Sequence, residues 1–294
     1  DFEDLQIPAY YRKENDLMNI NNDEVNPQRI IGGIPISNDT YPWMARIYTI
    51  LRKIELDGEF VIWGKHACGG SLINEQWVLT AAHCVTDEPN CQNDFAKPIK
   101  SNFKIGIGTE EFTVNDIIYN SDYDQCEIDE FGNKSMTVIN DLALIKLHRP
   151  STAKPIGIQS DDTRFIGRTA ILIGWGRTGS NKLSSELILL SVTIQSGSSK
   201  QCKQWWGMIP GINVDSRQLC AYSGQDVGVC KGDSGGPMFS EDGKEMILLG
   251  VTSFGLVKKE NGETRCLVEF GVPDVYVRVS AYYDWINVII HPIP

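Results

Sequence analysis

No apolar run in this sequence is long enough to cross a bilayer; Met246 to Val251, among the longest, ends after six residues. There is no CxxC pair and no His-Cys cluster, and only four histidines are present, so the usual zinc-ligand spacings are missing. Lys and Arg are outnumbered, 27 against 38 Asp and Glu. The resulting charge of -11 repels phosphate, which argues against nucleic acid or an anionic membrane as a partner. Internal repeats, low-complexity tracts and long helical periods are also missing, which excludes solenoids, coiled coils and alternating βαβ architectures.

What remains is a chain of 294 residues, 41% hydrophobic, with ample material for a buried core. Its eight cysteines, an even number without ligand spacing, point to disulfides and an oxidising compartment, although spacing alone assigns no pairing. Two glycosylation sequons, at Asn38 and Asn133, fit a secreted protein. The chain opens at Asp1 without an apolar leader, so a signal peptide is expected to have been removed. These features together predict a soluble, extracellular protein.

Residues 1–29 differ from the rest, with seven acids against three bases and no hydrophobic period. They read as a solvated leader ending at Gln28-Arg29, followed by Ile30-Ile31-Gly32-Gly33. From residue 30 on, short β-rich runs such as WMARIYTIL, EFVIWG, NFKIGIG, LALIKL, TAILIGWG and DVYVRVS are separated by Gly, Asn, Asp and Pro clusters. That spacing predicts an all-β sandwich or barrel. Only residues 281–290, AYYDWINVII, read as an amphipathic helix. The longest insertions, 86–101 and 120–138, are polar and acidic.

Chemistry concentrates at Gly232-Asp233-Ser234-Gly235-Gly236-Pro237. A serine hydroxyl needs a base to become a nucleophile, and the oxyanion it creates needs donors, which glycine-rich backbone supplies. The letters also satisfy GxSxG, the hydrolase elbow, in which an acid and a histidine follow the serine; here only His291 follows. Upstream the fit is better. Thr80-Ala81-Ala82-His83-Cys84 ends one apolar run, and Asn140-Asp141-Leu142-Ala143-Leu144 opens another.

On these motifs, in the order His, Asp, Ser, the chain from Ile30 to its end resembles the chymotrypsin-like (trypsin-like) serine endopeptidases. The resemblance implies two six-stranded antiparallel β-barrels with the active site between them and a C-terminal α-helix. It makes His83 the general base and acid, Asp141 the residue that orients it, and Ser234 the nucleophile, with the N–H groups of Gly232 and Ser234 as the oxyanion hole. It makes residues 1–29 an activation prosegment and 30–294 the peptidase domain. Cleavage between Arg29 and Ile30 would free an amino terminus that pairs with Asp233, so the intact chain would be a zymogen.

The same resemblance pairs Cys68 with Cys84, Cys202 with Cys220, and Cys230 with Cys266. Cys91 and Cys126, one in each insertion, are left to bridge each other. In the family an aspartate six residues before the nucleophile selects basic side chains; here that residue is Gly228. Ser253-Phe254-Gly255 matches the segment that binds substrate backbone, and Asp274 stands where a pocket-wall glycine is usual. This looks like the brachyurin-type pocket, with the charge supplied from Asp274, and implies cleavage after Arg or Lys with broader tolerance. No cofactor and no metal are expected. The expected partners are protein or peptide substrates, an activating trypsin-like protease and protein protease inhibitors, acting on a monomer. Two rivals stay open, a non-catalytic homologue acting as a cascade cofactor and a latent protein acting through its acidic leader. Digestion and a regulatory cascade also both stay open.

Overall fold

The architecture is that of a computed structural model, which describes residues 31, 33–56, 59–86, 103–123, 127–128, 134–135, 138–177, 184, 186–209, 212–224, 226–260 and 263–292. Arg29, Ile30, Cys91, Cys126 and Asn133 lie outside these residues, as do most of the two insertions.

Strand β1 (Ile34–Ile36) precedes a closed barrel formed by β2 (Met44–Leu56), β3 (Glu59–Asn74), β4 (Trp77–Thr80), β5 (Phe103–Ile107), β6 (Glu110–Tyr119) and, beyond the small hairpin β7 (Glu127–Ile128) and β8 (Lys134–Ser135), β9 (Ala143–Leu147). The spatial order is β2-β3-β4-β9-β6-β5, and β5 returns antiparallel to β2. A second barrel uses β10 (Thr169–Gly174), β11 (Leu187–Ser196), β12 (Gln218–Tyr222), β13 (Pro237–Asp242), β14 (Glu245–Phe254) and, after the hairpin β15 (Val257–Glu260) and β16 (Glu263–Cys266), β17 (Asp274–Arg278). Its order is β11-β10-β13-β14-β17-β12, closed by β11 pairing with β12, while β1 adds to the outside of β11. Closure pairs each of the six strands of a barrel on both sides, and it turns the alternation of the sequence into an inside and an outside. In β5, Phe103, Ile105 and Ile107 are buried while Lys104 and Gly106 between them are half-buried.

The two six-stranded barrels are those expected, and the differences lie in detail. The expected runs at the start join into one long hairpin in which β3 runs unbroken from Glu59 to Asn74, its register placing Leu56 opposite Glu59 and Met44 opposite Ser71. Among the described residues two α-helices form rather than one. Helix α1 (Lys200–Trp206) starts at Ser199, whose hydroxyl accepts from the N–H of Cys202, and its single turn or two is too short for a periodic signal. Helix α2 (Tyr283–Ile290) begins two residues later than expected, after a 3-10 turn at Val279–Tyr282. Its Ile286 is fully buried, a contribution of about 1.5–3 kcal/mol, and Trp285, Ile289 and Ile290 pack on the same core.

The barrels meet through aromatic side chains. Tyr41 and Trp43, just before β2, pack against Phe239 of β13 with ring centroids 4.9 and 5.6 Å away. Among the described residues three disulfides form, Cys68–Cys84, Cys202–Cys220 and Cys230–Cys266. No helix among the described residues is long and apolar enough to cross a membrane.

Candidate active site

His83 lies in the 3-10 turn Ala82–Cys84 at the end of β4. Ala81 and Ala82 are fully buried, and small side chains are what permit so tight a turn beside the barrel wall. The Cys68–Cys84 disulfide ties the turn to β3. Asp141 enters from the segment before β9 and is completely buried. Its Oδ1 accepts from the His83 backbone N–H at 2.9 Å and its Oδ2 lies 2.8 Å from His83 Nδ1. Because a carboxylate only accepts, Nδ1 carries the proton and Nε2 is left as the basic nitrogen. Ser253 adds a third bond, Oγ to Asp141 Oδ2 at 2.6 Å, a support that its expected role in binding substrate backbone did not include. Burial opposes the charge of Asp141, but the electrostatic pull of His83 and the bonds from His83 and Ser253 outweigh it and hold the carboxyl below its usual range.

Ser234 is presented by a turn fixed to both barrels. Its C=O accepts from Gly69 N–H of β3 at 2.8 Å, Gly235 N–H donates to Thr252 C=O at 2.8 Å, and Gly236 N–H donates to Asp233 C=O at 2.9 Å. Gly235 fits so closely that an added Cβ would stand 2.6 Å from the C=O of Gly69 and 3.2 Å from the N of Ala81, two residues before His83. The hydroxyl and the backbone N–H of Ser234 make no hydrogen bond among the described residues. His83 and Asp141 are therefore directly joined, while Ser234 is seated on the adjoining strand ends without a bond to the imidazole, a contact that commonly tightens only with substrate bound. Gly232 sits at φ 102°, a backbone that other residues rarely adopt, and carries the chain round toward Ser234.

Asp233 turns inward beneath this loop. Its side chain is buried, with Oδ1 accepting from Gly176 N–H at 2.7 Å and Oδ2 from Cys230 N–H at 3.0 Å. Burial pushes its carboxyl up to about 7 against those two bonds. Ile31, just after the junction, pairs with Gly228, whose N–H donates to Ile31 C=O at 3.1 Å.

Asp274 opens β17 at the same end of the second barrel. It is buried, and its Oδ2 accepts from Val229 N–H at 3.0 Å. A Cβ on Gly228 would approach that oxygen to 3.0 Å, and a Cβ on Gly255 would collide with Oδ1. The carboxylate thus occupies space that two glycines leave open, between the residue six before Ser234 and the segment after Ser253. Burial raises its carboxyl to about 7, and the nearby Asp233 adds to the shift. The hydroxyl of fully buried Tyr276 has no hydrogen-bond partner among the described residues. Along the neighbouring wall Trp206 stacks edge-on to Phe254 at 5.1 Å and donates from Nε1 to Pro273 C=O at 3.0 Å. The Cys230–Cys266 disulfide joins the loop before Ser234 to the end of β16.

Cys68, His83 and Cys84 form a compact group of the kind that holds metal, with His83 Nε2 3.8 Å from Cys84 Sγ. Both sulfurs are committed to a disulfide and supply no thiolate, so the group does not fit a cation. Asn38 is exposed, and its Oδ1 accepts from Trp175 Nε1 at 3.0 Å and Leu187 N–H at 3.1 Å.

Comparison with known proteins agrees with this geometry. The sequence profile of the trypsin family matches residues 30–286. A CLIP domain-containing serine protease B4 of Anopheles gambiae is 30% identical over 88% of this chain and 69% of its own length. Melanization protease 1 of Drosophila melanogaster is 28% identical over 88% and 65%, and phenoloxidase-activating factor 1 of Holotrichia diomphalia 29% over 92% and 72%. The chain thus spans roughly two thirds of the length of these relatives. The fold and the profile together establish that it belongs to the trypsin family of serine proteases.

Proposed function

We propose that this chain is the zymogen of a secreted serine endopeptidase, activated by cleavage between Arg29 and Ile30 and selective for Arg or Lys before the scissile bond. The reading is carried by one observation above others: Asp141, fully buried, binds both the Nδ1 and the backbone N–H of His83. That arrangement fixes the tautomer a general base requires. Ser234 Oγ attacks the substrate carbonyl while His83 Nε2 takes its proton, and the oxyanion is met by the N–H groups of Gly232 and Ser234. Collapse expels the amine, protonated by His83, and leaves an acyl-Ser234 that water hydrolyses through the same base.

Activation has a physical basis in Asp233. A buried carboxylate with only backbone donors is costly, and a new ammonium at Ile30 would pair with it and fix the loop that carries Gly232 and Ser234. The pairing of Ile31 with Gly228 supports the docking of this segment beside the pocket. Preference for basic residues is supported by the carboxylate of Asp274 between Gly228 and Gly255. The names of two relatives concern melanization and phenoloxidase activation, which favours a cascade role over digestion for this chain as well. Its partners are then a trypsin-like activator, protein substrates and protein inhibitors, with the enzyme itself a monomer and Asn38 open to glycosylation.

Covalent labelling tests the reading. Protein cut between Arg29 and Ile30 should react with an organophosphonate at Ser234, as located by peptide mass mapping, and uncut protein should not. A non-catalytic homologue would remain unlabelled in both forms.

A further inference from the structure

Asn140 immediately precedes Asp141 and lies at φ 52°; with Asp226 it is one of two described residues other than glycine at positive φ. The left-handed region is unfavourable for most side chains and least so for Asn and Asp. Here it lets the chain reverse across the triad acid, since Leu142 N–H donates to Asn140 C=O at 2.7 Å and Asp141 is the middle of that turn.

The Asn140 side chain is buried and held from three directions. Oδ1 accepts from Tyr282 Oη at 2.7 Å and from Arg217 Nη1 at 3.3 Å, and Nδ2 donates to Asp122 C=O at 2.7 Å. Asp122 belongs to the first barrel, just beyond β6; Arg217 leads into β12 of the second; Tyr282 precedes α2. Each partner is itself fixed. Arg217 is paired with Asp215 at 2.6 Å, Asp122 N–H donates to Asn120 Oδ1 at 3.0 Å, and Asn120 N–H donates to Leu142 C=O at 2.9 Å.

We infer that Asn140 is a positioning residue for the reaction: its amide, clamped between both barrels and the C-terminal segment, fixes the place of Asp141 and through it the imidazole of His83. The inference rests on the serine endopeptidase reading above. Packing alone does not call for an amide with both lone pairs and one of its donors engaged, in a left-handed turn, beside the triad acid. The energetic logic is that a displacement of about 1 Å in a catalytic group can cost about a hundredfold in rate, so a rigid anchor next to Asp141 has a direct effect on turnover.

Two variants test this in the activated full chain. Asn140→Gly keeps a residue suited to positive φ and deletes the amide; Tyr282→Phe removes one hydroxyl and leaves Asn140 in place. Expected losses in kcat are about tenfold and about fivefold, with KM within about twofold of wild type. The acid limb of the kcat/KM profile should move to lower pH in both, because a loosened Asp141 stabilises the His83 imidazolium less. A side chain that served only packing would lower Tm and leave turnover and that limb unchanged. Turnover within twofold of wild type and an unmoved limb in Asn140→Gly, or in Tyr282→Phe should the glycine variant not fold, would overturn the positioning role. A wild type with neither hydrolysis nor phosphonate labelling would overturn the endopeptidase reading instead.

Discussion

Asp141 and the pair Asp233 and Asp274 are all buried aspartates, yet their surroundings push them in opposite directions. Asp141 faces His83 and takes a further bond from Ser253, and its carboxyl is held below the usual range. Asp233 and Asp274 take only backbone N–H bonds, face no cationic side chain at ion-pair distance among the described residues, and are raised to about 7. The lesson is that burial alone does not decide the charge; the partner does. Asp141 has its partner built in, whereas on the proposed reading the other two await cations that arrive, a new amino terminus for Asp233 and a basic substrate side chain for Asp274.

Removing the built-in partnership should have the largest effect. Asp141→Asn is expected to lower kcat by about 10⁴-fold, the size familiar for this triad, with little change in KM. Steady-state kinetics on a peptide amide would measure it. Emptying the pocket of its charge comes next: Asp274→Gly should reduce kcat/KM for Arg substrates by about 10²–10³-fold and leave neutral substrates nearly untouched.

A pH titration sharpens the contrast without mutation. The ratio of kcat/KM for an Arg substrate to that for a Leu substrate cancels the ionisation of His83, which both require. Since the carboxyl of Asp274 is raised to about 7, it is neutral below that pH and charged above it. The ratio should therefore rise by about tenfold between pH 6 and 8 and then level off.

The smallest effect concerns stability. A carboxyl raised in the folded state costs nothing below its unfolded value and costs progressively more as pH rises toward 7. Uncut protein should lose stability over that window, and protein cut at Arg29 should lose less because Asp233 gains its ammonium. The Tm advantage of the cut form, followed by calorimetry, should grow by roughly 5 °C from pH 5 to pH 8.

The sequence motifs around His83, Asp141 and Ser234 were legible because each is contiguous: a strand end, a strand start and a glycine turn carry their own local signals. The barrels were legible from alternation, as in Phe103–Ile107. Asp274 was reached only through resemblance, since nothing in its own segment says that β17 seats it between Gly228 and Gly255. The Asn140 clamp leaves no local signal in the sequence. Its partners Arg217 and Tyr282 lie 77 and 142 residues away, and only the closure of both barrels brings them together. Helix α1 is illegible in the sequence because its capping serine is one of several in Ser196-Gly197-Ser198-Ser199, where local letters do not choose the start.

A substrate-library profile of the protein cut between Arg29 and Ile30, run beside its Asp274→Gly variant, tests the account most directly. The account predicts cleavage after Arg and Lys that is largely lost in the variant. A profile indifferent to basic residues, or one unchanged by Asp274→Gly, would contradict it.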